Sequence, residues 1–172
     1  MTPKAGIAAL ALWIATATAI AQTQTRPQPQ PLIQLPPFER AVVLIKHYEQ
    51  LHTQRHYPYI GYGHKIQKGE TLTYPITEHQ ADSILRSDLK KHCARFRRYG
   101  ADSLMLACVS YNCGSAALLG SKRKPRSTLI RKLDTGNRDI LRDLLGFSHY
   151  KGRKHPQIQQ RRMMEYLLLF EP

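Results

Sequence analysis

Residues 45–64 read IKHYEQLHTQRHYPYIGYGH, and this stretch decides the fold. Apolar and aromatic residues lead into it at helical spacing. We therefore predict a helix over residues 38–51, with a buried stripe made of Phe38, Ala41, Val42, Ile45, Tyr48 and His52. Further along, Pro58, Gly61 and Gly63 stand between aromatic residues and predict a short hairpin or loop over residues 53–64. The stretch is the end of a helix followed by a small β element.

Glu49 has an unusual position in this stretch. It lies seven residues after Val42 and four after Ile45, so helical geometry places it on the apolar stripe. It also lies in the last turn, where the partial negative charge of the helix opposes a carboxylate. Burial and the dipole both favour the protonated acid, which general-acid cleavage of a glycosidic bond requires. The alternative is a structural Glu paired with an Arg or Lys.

Caps and apolar runs predict the remaining helices. Thr77 and Gln80 form a capping box, and the apolar run at 104–109 predicts a buried central helix that ends at Gly114. Shorter helices are expected after Ser127 and Asn137, and a last helix from Pro156. The expected ranges are about 77–98, 104–113, 128–133, 138–145 and 156–170. We expect an α+β fold that is mainly α, with one small hairpin and no repeats.

Length and composition limit the class of protein. The chain has 172 residues, of which 42% are hydrophobic and 22% charged. This suits one packed domain and excludes a collagenous or wholly disordered chain. Three Cys are too few for a disulfide scaffold, and helical spacing puts Cys108 and Cys113 too far apart to pair, so any disulfide must use Cys93. The formal charge of +14 indicates an anionic partner.

The first 37 residues are expected to lie outside the fold. Residues 1–21 have the parts of a secretory signal, namely Lys4, an apolar run and an Ala-x-Ala exit with cleavage after Ala21. An uncleaved membrane anchor is the alternative, although the run is weakly hydrophobic. Residues 22–37 are rich in Gln and Pro and predict a solvated tether. The domain would span residues 38–172, exported by a Sec-type signal and periplasmic or secreted, without a stable membrane span.

Four ordered segments resemble the phage-type (T4-like) lysozymes, glycoside hydrolase family 24. The first is the deciding stretch, in which a helix-ending Glu precedes a hairpin and Ile-Gly-x-Gly-His. The others are the central-helix motif at 109–114, the Ser-Thr-Leu helix at 127–137 and the Arg-Arg-x-x-Glu run at 161–165. The resemblance covers about residues 38–170. It implies a lysozyme-like fold with a truncated β-hairpin and hydrolysis of the β-1,4 bond between N-acetylmuramic acid and N-acetylglucosamine in peptidoglycan.

The resemblance also implies site residues. Glu49 is the implied general acid. We expect Tyr62, His64 and Asn112 to contact the substrate, and the place of His64 in the lysozyme-like strand implies that it also holds the loop backbone. The chain departs from the family inside the hairpin, because its Asp is missing and Tyr59 stands where the family has Thr. Direct transfer of a catalytic role therefore stops at Glu49.

An inverting hydrolase needs a second group that activates water, so the missing Asp needs a substitute. We expect His56 in this role, since an imidazole can accept a proton from water, with Tyr59 or Thr53 orienting that water. Two alternatives stay open. His56 can have a packing role, and the sugar's own 6-hydroxyl can attack instead, as in single-Glu lytic transglycosylases.

Other functions are less favoured by the sequence. No His-Glu-x-x-His motif is present, and we expect neither a metal nor another cofactor. The basic loop 122–126 resembles a nucleic-acid footprint, but an exported protein is expected to meet peptidoglycan glycan strands and anionic cell-envelope polymers instead. We expect a monomeric, bacteriolytic hydrolase. A non-catalytic peptidoglycan-binding descendant and a cationic antimicrobial protein remain the alternatives.

Overall fold

A computed structural model describes residues 31–171. The predicted signal peptide at 1–21 and most of the expected tether lie outside the described residues. At the start of the described chain, a 3-10 turn spans Leu32–Gln34, and Leu32 packs against the core. The packed chain thus begins a few residues before the expected boundary at Phe38.

The described chain contains seven α-helices and two antiparallel hairpins. The helices are α1 (Pro37–Glu49), α2 (Glu78–Phe96), α3 (Ser103–Cys113), α4 (Ser115–Leu119), α5 (Thr128–Asp134), α6 (Leu141–Leu145) and α7 (Pro156–Leu169). The strands are β1 (Tyr59–Ile60), β2 (His64–Lys65), β3 (His149–Tyr150) and β4 (Arg153–Lys154). The predicted fold class, α+β and mainly α, is confirmed. Among residues 31–171, none of the helices has both the length and the apolar character needed to cross a bilayer.

Helix α3 is the centre of the core, as its apolar run predicts. Its residues from Met105 to Ser110 are all buried, and α1, α2 and α7 pack around it. The helix ends at Gly114, whose φ of +78° is a conformation that glycine adopts without steric cost. Burial on all sides explains why this helix has an uninterrupted apolar sequence rather than a stripe.

Helix α1 ends at Glu49, so the predicted end at residue 51 is wrong. Gln50 adopts a φ of +59°, which turns the chain out of the helix, and the backbone N–H of Gln50 donates to the Lys46 carbonyl. His52 therefore does not belong to the buried helical stripe. It lies beyond the helix, where the chain turns back towards the first hairpin.

The first hairpin packs closely against the helical body. Strands β1 and β2 pair antiparallel, with Ile60 opposite His64. Gly61 has a φ of +62°, and a Cβ at this position would lie only 3.3 Å from the Cβ of Ala81 in α2. The Tyr111 hydroxyl of α3 donates to the carbonyl of Tyr62, 2.8 Å away. These contacts fix the hairpin beside the end of α1.

The chain from residue 137 to residue 154 differs from the prediction. The Asn137 side chain accepts from the N–H of Asp139, 2.8 Å away, and α6 begins only at Leu141 rather than at residue 138. The guanidinium of Arg138 binds Asp102 instead of joining the helix. The second hairpin, β3 and β4, was not predicted.

Candidate active site

Glu49 lies in the last turn of α1 and pairs with an arginine of α7. Its Oε1 accepts from Nη1 of Arg161 at 2.5 Å, and the Glu49 side chain is 19% exposed. Its other oxygen, Oε2, faces Gly63 in the first hairpin, where a Cβ would lie 3.6 Å from it. No hydrogen bond to Oε2 is formed by any of residues 31–171. The carboxyl group thus has one oxygen held by the body of the protein and one directed towards the hairpin.

A buried ionic network holds Arg161 in place. Nε of Arg161 donates to Glu165 at 3.1 Å, and Glu165 also accepts from Arg162, whose guanidinium donates in turn to Asn112 of α3. Arg161, Arg162 and Glu165 are all buried. The motif Arg-Arg-x-x-Glu thereby connects α7 with the last turn of α1 and with the end of α3.

Electrostatics keep Arg161 charged although it is buried. Burial opposes the charge, but the carboxylates of Glu165 and Glu49 outweigh that effect and raise the pKa of Arg161. Its Nη2 atom is buried and has no hydrogen-bond partner within the described part of the chain. Tyr48 lies beside the guanidinium, with its ring centroid 5.5 Å from Cζ. A charged Arg161 therefore faces Glu49 from the core side.

His52 lies next to Glu49 and is a site residue that the sequence does not predict. A Cβ at Gly63 would be 3.8 Å from Cε1 of His52, on the same side as Glu49. Nδ1 of His52 is 3.1 Å from the Gly61 carbonyl oxygen, and the backbone N–H of His52 donates to the same oxygen at 2.7 Å. His52 follows Glu49 by three residues. A predicted helix end at Glu49 would have placed His52 outside the helical stripe and made it a candidate site residue.

His56 and Tyr59, the two other predicted catalytic candidates, flank His52. The His56 ring meets the His52 ring edge-on, with 4.7 Å between the centroids. The Tyr59 ring stacks on the His52 ring, with 6.4 Å between the centroids. Nδ1 of His56 accepts from the backbone N–H of Thr53 at 2.9 Å. Tyr59 is exposed, and its carbonyl accepts from the Tyr74 hydroxyl at 2.7 Å. Glu49, His52, His56 and Tyr59 form one cluster at the junction of α1 and the hairpin.

The three expected substrate contacts have other partners in the structure. Tyr62 is buried, and its hydroxyl donates to Glu78 at 3.0 Å. Asn112 is exposed, but its side-chain oxygen accepts from Arg162. His64 is buried, with Asp88 2.5 Å from Nδ1 and Glu70 2.8 Å from Nε2.

The partners of His64 set its charge. Burial opposes protonation, but the hydrogen bonds with Glu70 and Asp88 outweigh it and raise the pKa of His64. With both ring nitrogens occupied, the imidazole holds the hairpin against α2 and has no free nitrogen for a ligand.

A cavity of about 380 Å³ opens beside Gly63. It lies between the hairpin and the body, and three cations, Lys65, Lys91 and Arg95, line it together with Glu70 and Asp88. Tyr111 of α3 forms part of its wall. The cavity is thus polar, with an excess of basic side chains. Within residues 31–171, no group of three or more His, Cys, Asp or Glu residues is placed to bind a metal ion.

The fold and this cluster define a protein of lysozyme type, in which a glutamate at the end of the first helix faces a small hairpin. The chain belongs to the phage lysozyme family, since the model of that family matches residues 45–165. The resemblance seen in the sequence is thereby confirmed. No curated protein matches the chain. Membership of this family supports a peptidoglycan-cleaving function of lysozyme type.

Proposed function

We propose that this protein is an exported peptidoglycan glycosidase, with Glu49 as its general acid. The proposed reaction is hydrolysis of the β-1,4 bond between N-acetylmuramic acid and N-acetylglucosamine, in the breakdown or remodelling of a cell wall. The observation that carries the proposal is the position of Glu49 within a phage lysozyme chain: the last turn of α1, with Oε2 directed at the hairpin.

The geometry of Glu49 suits proton donation to a leaving group. Arg161 holds Oε1, so a proton on the carboxyl group resides on Oε2, which faces Gly63 and the hairpin. From Oε2 the proton can pass to the glycosidic oxygen as that bond breaks. The ion pair is the structural alternative for Glu49, and it is compatible with catalysis because it fixes which oxygen faces the hairpin.

The charge of the cavity beside Gly63 suits a peptidoglycan strand. Muramic acid carries a lactyl group, and its stem peptides end in carboxylates, so the polymer is anionic. Lys65, Lys91 and Arg95 line the cavity beside Gly63, and the chain as a whole carries +14. Such a surface attracts an anionic polymer at low ionic strength.

The variant Glu49→Gln tests the proposal. Gln keeps the shape of the side chain but has no proton to donate, so release of muropeptides from purified sacculi should nearly vanish. The protein should stay folded because Arg161 retains Glu165 as a partner. The matched control is Glu39→Gln, which removes a carboxylate of the same helix that also pairs with an arginine, Arg86, and it should keep the activity.

Mass spectrometry of the products separates the alternatives. Reducing N-acetylmuramic acid ends support hydrolysis. Anhydro ends would instead indicate a single-Glu lytic transglycosylase, and intact glycan with bound protein would indicate a non-catalytic peptidoglycan-binding descendant. A folded and fully active Glu49→Gln variant would contradict the assignment of the acid.

A further inference from the structure

We propose that His52 is the general base of this site and accepts a proton from the water that attacks the sugar. The inference rests on the proposed function, because it supplies the second catalytic group that a glycosidase with Glu49 as its acid needs. Sequence reasoning favoured His56 for this role. The hydrogen bonds of the two imidazoles point to His52 instead.

The tautomer of His52 leaves a free acceptor nitrogen. Nδ1 lies 3.1 Å from the carbonyl oxygen of Gly61, and a carbonyl oxygen can only accept a hydrogen bond. Nδ1 therefore carries the proton, and in a neutral imidazole the other nitrogen, Nε2, is then unprotonated. None of residues 31–171 forms a hydrogen bond to Nε2. His52 can thus accept a proton at Nε2 while its ring stays anchored through Nδ1.

The tautomer of His56 is the opposite one. The backbone N–H of Thr53 donates to Nδ1 of His56 at 2.9 Å, as part of a capping arrangement over the turn Gln54–His56. Nδ1 of His56 also lies 3.2 Å from the carbonyl and hydroxyl oxygens of Thr53. The N–H contact is the shortest of the three and can only donate, so we assign the proton of a neutral His56 to Nε2, which then cannot take a proton from water. His56 instead packs edge-on against His52, with 4.7 Å between ring centroids.

The position of His52 fits a base that acts beside Glu49. Oε2 of Glu49 and Cε1 of His52 lie 3.6 Å and 3.8 Å from one point, the position of a Cβ on Gly63. Since Gly63 has no side chain, no Cβ occupies this point. Tyr59 stacks over the ring from the outside at 6.4 Å. His52 is half-buried and held by two neighbours, as a preoriented base should be.

The step balances in protons. The oxygen of water bonds to C1 of the muramic acid residue while the bond from C1 to the glycosidic oxygen breaks. The water proton goes to Nε2 of His52, and the proton of Glu49 Oε2 goes to the leaving 4-oxygen. The products are an N-acetylmuramic acid end of inverted configuration and a free 4-hydroxyl. His52, now an imidazolium, returns its proton through solvent to the Glu49 carboxylate.

The variant His52→Asn tests the assignment. Its amide can replace Nδ1 as the donor to Gly61 but cannot accept a proton, so the fold should be kept. We expect the release of reducing muropeptides to fall about 10²- to 10⁴-fold. His56→Ala should lower the activity far less than His52→Asn, because His56 only packs against the base. His79→Ala, at an exposed histidine in the first turn of α2, should retain all of it.

A second readout distinguishes a base from a positioning residue. Azide attacks without needing a base, so adding azide to His52→Ala should restore cleavage and give a muramyl azide of inverted configuration. Loss of activity in a folded His52→Ala protein without an azide product would overturn the assignment, as would full activity of His52→Asn. A loss in His56→Ala equal to that in His52→Asn would return the role to His56.

The outcomes also separate this inference from the proposed function. If Glu49→Gln is inactive while His52→Asn is active, the base assignment fails and the glycosidase proposal stands. Anhydro products from the unmodified protein would exclude a water-activating base but keep Glu49 as the acid. If the unmodified protein releases nothing from sacculi, both proposals fail.

Discussion

At the scale of single residues, the site depends on which atom of each side chain is already occupied. Arg161 occupies one oxygen of Glu49. The Gly61 carbonyl accepts from Nδ1 of His52, whereas the Thr53 N–H donates to Nδ1 of His56. The sequence predicted Glu49 because helical spacing places it on the apolar stripe and the family resemblance implies its role as the acid. It could not distinguish the two histidines, because their tautomers depend on backbone groups that only the folded hairpin brings near.

His64 is expected to make stability depend on pH. Hydrogen bonds with Glu70 and Asp88 raise its pKa in the folded state. A histidine whose pKa is raised in the folded state adds stability. This stability is fully present below the pKa of the unfolded state, about 6.5, and is lost as the pH rises through the pKa of the folded state. In His64→Gln this contribution disappears. The variant should therefore lose more unfolding free energy at pH 5.5 than at pH 9, as measured by urea denaturation.

The control for this prediction is His79→Gln, since His79 is exposed at the start of α2. Its loss of stability should be small and the same at both pH values. An equal loss at both pH values in His64→Gln would mean that the imidazole acts through packing rather than through its charge.

At the scale of elements, helix ends that depend on neighbouring residues could be predicted from the sequence, and isolated short strands could not. The capping box of α2 and the end of α3 at Gly114 depend on neighbouring residues, and both are confirmed. The hairpin at His149–Lys154 consists of two-residue, fully exposed strands, which have no apolar alternation to reveal them. Its turn, Lys151-Gly152, has two positive φ angles, and this Gly was the available signal.

The capping box of α2 yields a stability prediction. The Thr77 hydroxyl accepts from the N–H of Gln80 at 3.2 Å, and the Gln80 side chain accepts from the N–H of Thr77 at 2.8 Å. Thr77→Ala removes the first bond and weakens the start of α2, at a cost of about 1 kcal/mol. Thr73→Ala, an exposed threonine outside the helix, should change the unfolding free energy much less. Equal effects in both variants would show that the cap adds nothing in the folded protein.

At the scale of the whole molecule, the site is assembled from distant parts of the chain. Glu49 and Arg161 are 112 residues apart, and Arg162 reaches from α7 to Asn112. Periodicity and caps predict most of the helices, though not α4, and they do not predict which charged side chain of one helix meets that of another. The resemblance to a family aligned Arg161, Arg162 and Glu165, yet their roles became visible only through the buried network.

Glu165 is the centre of that network, so its charge should matter both for folding and for activity. It accepts from Arg161 and Arg162 and is fully buried. Glu165→Gln would leave two buried guanidinium groups with too little negative charge. Breaking such a buried set by removing one partner costs about 3–5 kcal/mol, so the melting temperature should fall by many degrees.

Activity of Glu165→Gln should fall even at temperatures where the protein remains folded. Gln offers one acceptor oxygen instead of two, so Arg161 and Arg162 would compete for it and Arg161 would hold Oε1 of Glu49 less firmly. Calorimetry and muropeptide release on the same protein test both effects, with Glu171→Gln, an exposed glutamate beyond α7, as the control. Unchanged melting with unchanged activity would mean that the two arginines find other partners. Unchanged activity in a destabilised protein would mean that Arg161 stabilises the fold without orienting the acid.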